Sequence, residues 1–207
     1  MNKNLIRRTA LVAAAGAASL LLAACGSSDG ASAGHDGHSS SSPASASASV
    51  SQGQHNAADV AFAKGMIPHH RQAVEMADLT PSRAESAEVK ELAGEIKKAQ
   101  YPEIKTLSGW LTSWGETVPA EGAMDHSMHD MGGMMTAEDM DSLTKASGPA
   151  FDTAFMEVMI KHHEGAVEMA RTEKADGSFP DATKMADAII TSQTAEISRM
   201  NSLLGKN

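Results

Sequence analysis

Two pairs of adjacent histidines, His69-His70 and His162-His163, each sit within nearly the same twelve residues. Met66 to Ala77 reads MIPHHRQAVEMA and Met159 to Ala170 reads MIKHHEGAVEMA, with nine of the twelve positions identical. Each copy therefore offers two imidazoles and two thioethers, Met66 and Met76 in the first and Met159 and Met169 in the second. Imidazole accepts both Cu(I) and Cu(II), whereas thioether sulfur is a soft donor that favours Cu(I). Such a set is too soft for magnesium or calcium and poor for iron, and it lacks the thiolate of a closed zinc site. The chemistry to which these residues point is copper binding, with iron and zinc as poorer matches.

A second cluster lies between the two copies. Met124 to Met135 reads MDHSMHDMGGMM, which places His126, Met128, His129, Met131, Met134 and Met135 in one stretch and holds five of the chain's 14 methionines. It has neither helical nor strand periodicity, so it is expected to be a loop that captures copper more weakly than an ordered site, because a loop must be ordered on binding. Thioethers also suit an oxidising compartment better than exposed cysteines, which oxidise there.

The elements that must position these groups follow from the spacing. The second copy is displaced by 93 residues, and the register holds well beyond the motif. Asp59, Ala61 and Phe62 return as Asp152, Ala154 and Phe155, and Ala93, Ile96, Gln100, Glu103, Ile104 and Leu111 return as Ala186, Ile189, Gln193, Glu196, Ile197 and Leu204. The domain is thus one helical unit used twice. Helical periodicity with cap and proline signals predicts four long helices: from Asn56 as N-cap to Asp78, from Ser82 to Ser113, from Pro149 to Lys174, and from Pro180 to Leu204. Thr136 and Asp139 predict an N-cap and its acidic partner for a short helix ending near Ala146. No stretch alternates with period two, so no strand is expected.

At about 100° per residue, Phe62, Met66, His69, His70, Ala73, Met76 and Ala77 share one helix face, and the second copy repeats it. Glu75 and Glu168 point the other way and are expected to face solvent. Buried imidazoles in adjacent pairs carry a large desolvation cost unless they share a partner, which favours a ligand role. On the second and fourth helices Gln100, Glu103, Gln193 and Glu196 fall inside the apolar stripe. A carboxylate there needs a cation, so Glu103 and Glu196 are either metal ligands or groups that orient a ligating imidazole.

With these residues in hand the chain resembles the domain of unknown function 305 family, which carries a Met-Ile-x-His-His-x-x-Ala-Val-x-Met-Ala signature. The resemblance spans about Asn56 to Leu204 and rests on both signatures, the two Gln-x-x-Glu-Ile segments and the Met-rich connector. It implies an all-α, ferritin-like four-helix bundle built from two repeated hairpins with a long crossover. It also implies copper binding or tolerance, as in some family members, with Met66, His69, His70, Met76, Met159, His162, His163 and Met169 as ligands. The family has no settled activity.

The organisation expected is a signal peptide over 1–24, a Ser/Ala/Gly-rich tether over 25–55, and a bundle over 56–207, divided into repeat one (56–113), connector (114–148) and repeat two (149–207). Lys3, Arg7 and Arg8 precede an apolar run that ends in Leu22-Ala23-Ala24-Cys25, the layout of an export signal with a lipobox. Cys25 is the only cysteine, so its lipidation leaves no thiol for a disulfide or a nucleophile. The predicted product is a lipid-anchored envelope protein whose sole membrane contact is the lipid. The formal charge of −9 becomes −12 once Lys3, Arg7 and Arg8 are removed, which argues against nucleic acid as a partner. No Ser-His-Asp order, phosphate loop or cofactor fingerprint argues for a conventional enzyme. Two other functions stay open: a di-iron carboxylate oxidase, although neither His pair has a Glu three residues before it, and a partner-binding lipoprotein whose histidines form an internal polar network. The connector is long enough to recross the bundle, which would bring the two His pairs face to face at one shared site.

Overall fold

The computed structural model of the chain describes residues 54–121 and 132–206. The expected leader, Cys25, the tether up to residue 53, and His126, Met128, His129 and Met131 of the connector lie outside the described residues. Six helices run in the order α1 (Ala57–Asp78), α2 (Thr80–Arg83), α3 (Ala87–Ser113), α4 (Ala137–Lys145), α5 (Pro149–Asp176) and α6 (Pro180–Leu203), with no strand among the described residues.

Local signals set most of these boundaries. The Asn56 side chain accepts from the amides of Ala58 and Asp59, while the Asn56 amide donates to Asp59 Oδ2 at 2.6 Å, a reciprocal cap that starts α1. Thr136 and Asp139 make the same arrangement at α4. Pro149 and Pro180 occupy the first turns of α5 and α6, where a missing amide proton costs nothing. α1 and α3 run through Pro68 and Pro102 respectively.

One boundary differs from expectation. Instead of a single helix from Ser82, the chain makes the short α2, turns extended at Ala84 (ψ 143°), and restarts α3 at the Ser86 cap. The cause is tertiary. Asp152 of α5 accepts from the amides of Glu85 (3.1 Å) and Ser86 (2.8 Å), and Gly148 donates to the Arg83 carbonyl at 2.8 Å. Its repeat counterpart Asp59 does the same at the other end, accepting from the amides of Ser178 (3.1 Å) and Phe179 (2.9 Å) just before α6. Each repeat's first helix thus holds the start of the other repeat's second helix, and the two hairpins are related by an approximate two-fold axis.

The core is in two parts, each drawn from all four long helices. One contains Met66 and Ile67 of α1, Leu107 and Leu111 of α3, Ala166 and Ala170 of α5, and Ala186 and Ile189 of α6. The other contains Met76, Leu92, Ile96, Phe151, Phe155, Met159 and Met200, and also takes in Leu143 of α4 and Met135 of the connector. Between them lies a buried polar layer of His69, His70, Gln100, His162, His163 and Gln193. The connector recrosses the bundle along α1. Lys64 pairs with Glu116 at 2.5 Å, Arg71 donates to the carbonyls of Pro119 and Ala120, and Gln72 bonds to Met135 before α4 packs against α5.

Candidate metal centre

The antiparallel crossing of α1 and α5 brings the histidine pairs into one cluster. The His69 and His162 rings lie with centroids 3.7 Å apart, tilted by 39°, and His162 and His163 are 6.4 Å apart. All four imidazoles are essentially without solvent contact. Burial, first, and the neighbouring imidazoles, second, hold His69 and His162 well below the ordinary histidine range, so both rings are neutral and each keeps one nitrogen lone pair for a metal. The backbone of Gly132 opposes this at His69 only weakly.

The outer member of each pair is held by a carboxylate from its own hairpin. His70 Nε2 lies 2.7 Å from Glu103 Oε2, and His163 Nε2 lies 2.6 Å from Glu196 Oε2. A carboxylate accepts the Nε2 proton and so leaves Nδ1 with its lone pair, facing into the protein. The Nδ1 atoms of His70 and His163 and both ring nitrogens of His69 and His162 are buried with no hydrogen-bond partner, as are Oε1 of Gln100 and Gln193. Six imidazole nitrogens in one layer thus lack a well-formed hydrogen bond within the fold.

The methionines divide into two classes. Met66 and Met159 lie one helical turn from their histidines and are wholly buried, in the two core parts that sandwich the layer. Met76 is also buried but lies six residues beyond His70, about 9 Å along the helix axis. Met169, its counterpart, is partly exposed and packs at the edge of the core. Of the motif methionines, Met66 and Met159 are therefore the nearer to the layer along their helices. Met134 is partly exposed and Met135 is buried in the core. Glu75 and Glu168 face solvent, as the helical arc requires.

Among the described residues no three His, Cys, Asp or Glu side chains are arranged to close on one ion. The close approach of the His69 and His162 rings explains part of this, because they occupy the space between the two pairs. Imidazoles with thioethers a helical turn away, and carboxylates already engaged by histidines, form a donor set softer than a carboxylate-bridged iron pair requires.

Several buried polar residues escaped sequence reasoning, Gln72 and Glu173 among them. Gln72, inside the motif but off its apolar arc, is 2 % exposed and bonded to the connector. Glu173, at the end of α5, is 1 % exposed and lies against Asp59; burial and that neighbour push its carboxyl up to about 8. The signal for Gln72 was its mismatch with Gly165, one of three differences between the two motifs. For Glu173 there was none, since its counterpart is Thr80.

Comparison with known proteins places the geometry in context. The family model described as "Domain of unknown function (DUF305)" matches residues 59–204. A DUF305 protein from Streptomyces coelicolor, described as secreted, is similar in structure with a TM-score of 0.65 and 31% identity, covering 72% of this chain and 91% of that one. CopM in its Cu(I)-bound form is similar at 36% identity and a TM-score of 0.59, covering 70% of this chain and 94% of that one, and its Cu(II)-bound form gives 0.60. A DUF305 fragment from Deinococcus radiodurans is similar at 26% identity and a TM-score of 0.65, covering 73% of this chain and 98% of that one. The comparison with curated proteins finds no match.

Proposed function

The chain belongs to the domain of unknown function 305 family, and from that premise we propose that it binds copper outside the cytoplasm through the histidine layer of its bundle. The observation that carries the reading is the set of six buried, unpartnered imidazole nitrogens supplied by His69, His70, His162 and His163. Buried polar groups left without partners are costly, and an ion at this layer would remove that cost. Met66 and Met159 on either side supply soft sulfur, and Glu103 and Glu196 orient the outer imidazoles. The similarity to CopM, solved with Cu(I), Cu(II) and silver, supports a soft monovalent ion as well as Cu(II). The likeness to a protein described as secreted supports an extracytoplasmic place.

In this reading the protein sequesters or hands on copper and performs no chemistry on a bound substrate. The di-iron reading loses support, because Glu103 and Glu196 are engaged by histidines across each hairpin. The Met/His-rich connector would hold additional, weaker copper. Anchoring would depend on Cys25 through lipid alone, and no helix among the described residues is long and apolar enough to cross a membrane. Cys25→Ala should therefore release the protein from membranes or leave it unprocessed, as fractionation would show. Wild-type processing and retention would remove the lipid anchor from the proposal.

The central test is the joint change of His69, His70, His162 and His163 to Ala. Tight copper binding, measured by competition with a chelator, should be lost while circular dichroism retains most of the helical signal. If this variant binds copper as tightly and as fully as wild type, the layer is not the site.

A further inference from the structure

One break in the duplication falls where the connector crosses the bundle, and the copper site alone gives no reason for it. Gln72 and Gly165 are counterparts, each three residues after the first or inner histidine of its motif. Both meet the same piece of connector. Gln72 Nε2 donates to the Met135 carbonyl at 2.9 Å and Gln72 Oε1 accepts from the Met135 amide at 2.7 Å, both bonds buried. Across the groove, Gly165 lets the connector backbone lie on the helix itself: a Cβ at residue 165 would fall 1.8 Å from the Gly132 carbonyl oxygen. Gly133 completes the fit, with φ at +88° and a position where its own Cβ would come within 2.6 Å of the Lys161 carbonyl. Neither glycine of the pair at the crossing can be replaced by a larger residue without displacing backbone.

We infer that Gln72 and Gly165 are positioning residues that seat Gly132–Met135 as a strap across the α1–α5 groove, so that ions enter and leave the histidine layer by the lifting of this strap. The inference rests on the copper reading above. All four histidines are buried, so an ion cannot reach them without movement. The long helices share both parts of the core, and parting them would expose it. The strap is held by one amide pair, a glycine contact and the Met135 side chain, which is a far smaller hold. The strap's contacts with Gln72, Lys161 and Gly165 all lie within one helical turn of His69 and His162, which places it over the layer. A cover that supplies no ligand slows entry and exit alike and leaves the equilibrium where it was.

The test uses the full mature chain with Gln72→Leu and, separately, Gly165→Ala. In stopped-flow exchange with a Cu(I) chelator, loading and release should both become about tenfold faster on loss of the buried amide pair or of the close crossing. Kd should stay within about threefold, because the strap favours neither bound nor free state. In metal-free protein, acylation of His69 and His162 by diethyl pyrocarbonate, read by mass spectrometry, should accelerate similarly. Unchanged rates and unchanged acylation in variants that melt like wild type would overturn the inference. So would faster release matched by an equal loss of affinity, which would make the strap part of the binding site. If wild type itself binds no copper, the copper reading falls, and histidine acylation alone decides whether the strap is the cover. If Gly165→Ala does not fold, Gln72→Leu decides.

Discussion

At the residue scale the site shows a division of labour between adjacent, identical side chains. His69 and His162 meet at the helix crossing without a carboxylate partner, whereas His70 and His163 turn outward to Glu103 and Glu196. The carboxylates are about one-fifth exposed, so water shares their charge while their imidazoles stay dry. Their work would be to fix which nitrogen carries the proton and to make the other more basic. Replacing Glu103 and Glu196 with Ala should therefore weaken copper binding by about 10–100-fold, with Gln at both positions costing less because its carbonyl still accepts from Nε2. Competition titration of the two double variants checks this, and equal affinity for all three proteins would reduce the carboxylates to structural partners.

At the element scale, the ends of the helices are held across the repeats. Asp59 and Asp152 cap helices in the opposite hairpin, which is why α3 begins at Ser86 and why α6 follows so closely on α5. The symmetry is broken beside Asp59, where Glu173 stands in place of Thr80. Gly177 ends α5 with an ordinary negative φ, and its need for glycine is steric: a Cβ there would lie 2.2 Å from Glu173 Oε1. With its carboxyl raised from 4.5 to about 8, Glu173 holds a proton in the folded state that the unfolded chain has released. Its contribution to stability is thus complete below about pH 4.5 and is lost as pH rises through about 8. Glu173→Gln, which mimics the protonated form, should flatten the fall in melting temperature over that window and melt higher than wild type at its alkaline end. Parallel melting curves for the two proteins across this range would show that Glu173 is not the group responsible.

At the scale of the whole molecule, neither repeat has a core of its own. Each part of the core takes residues from α1, α3, α5 and α6, the polar layer needs both motifs, and the caps are exchanged. A fragment covering 54–115 should therefore be largely unfolded, with weak helical circular dichroism and no tight copper site. A cooperative thermal transition in that fragment alone would contradict the account. The crossover that makes the two-fold arrangement possible also sends the connector back past the histidines. A long connection in this fold is thus both the route between repeats and the covering of the layer.

The helical class, the duplication, the inward arc of histidines and the placing of Glu103 and Glu196 beside them were legible in the sequence. All follow from periodicity and from an offset kept over each repeat, properties that act along a single helix. Gln72 was not, because an amide beside an apolar arc reads as surface until a backbone passes over it. Nor was the break between α2 and α3, which is made by Asp152 from across the molecule. The sequence by itself determined which residues face inward and what chemistry they could support. Only the tertiary structure decided that the two pairs meet ring against ring, that Met66 and Met159 lie nearer the layer than Met76 and Met169, and that the connector crosses the groove. Those are facts about how helices distant in sequence pack, and no local preference encodes them.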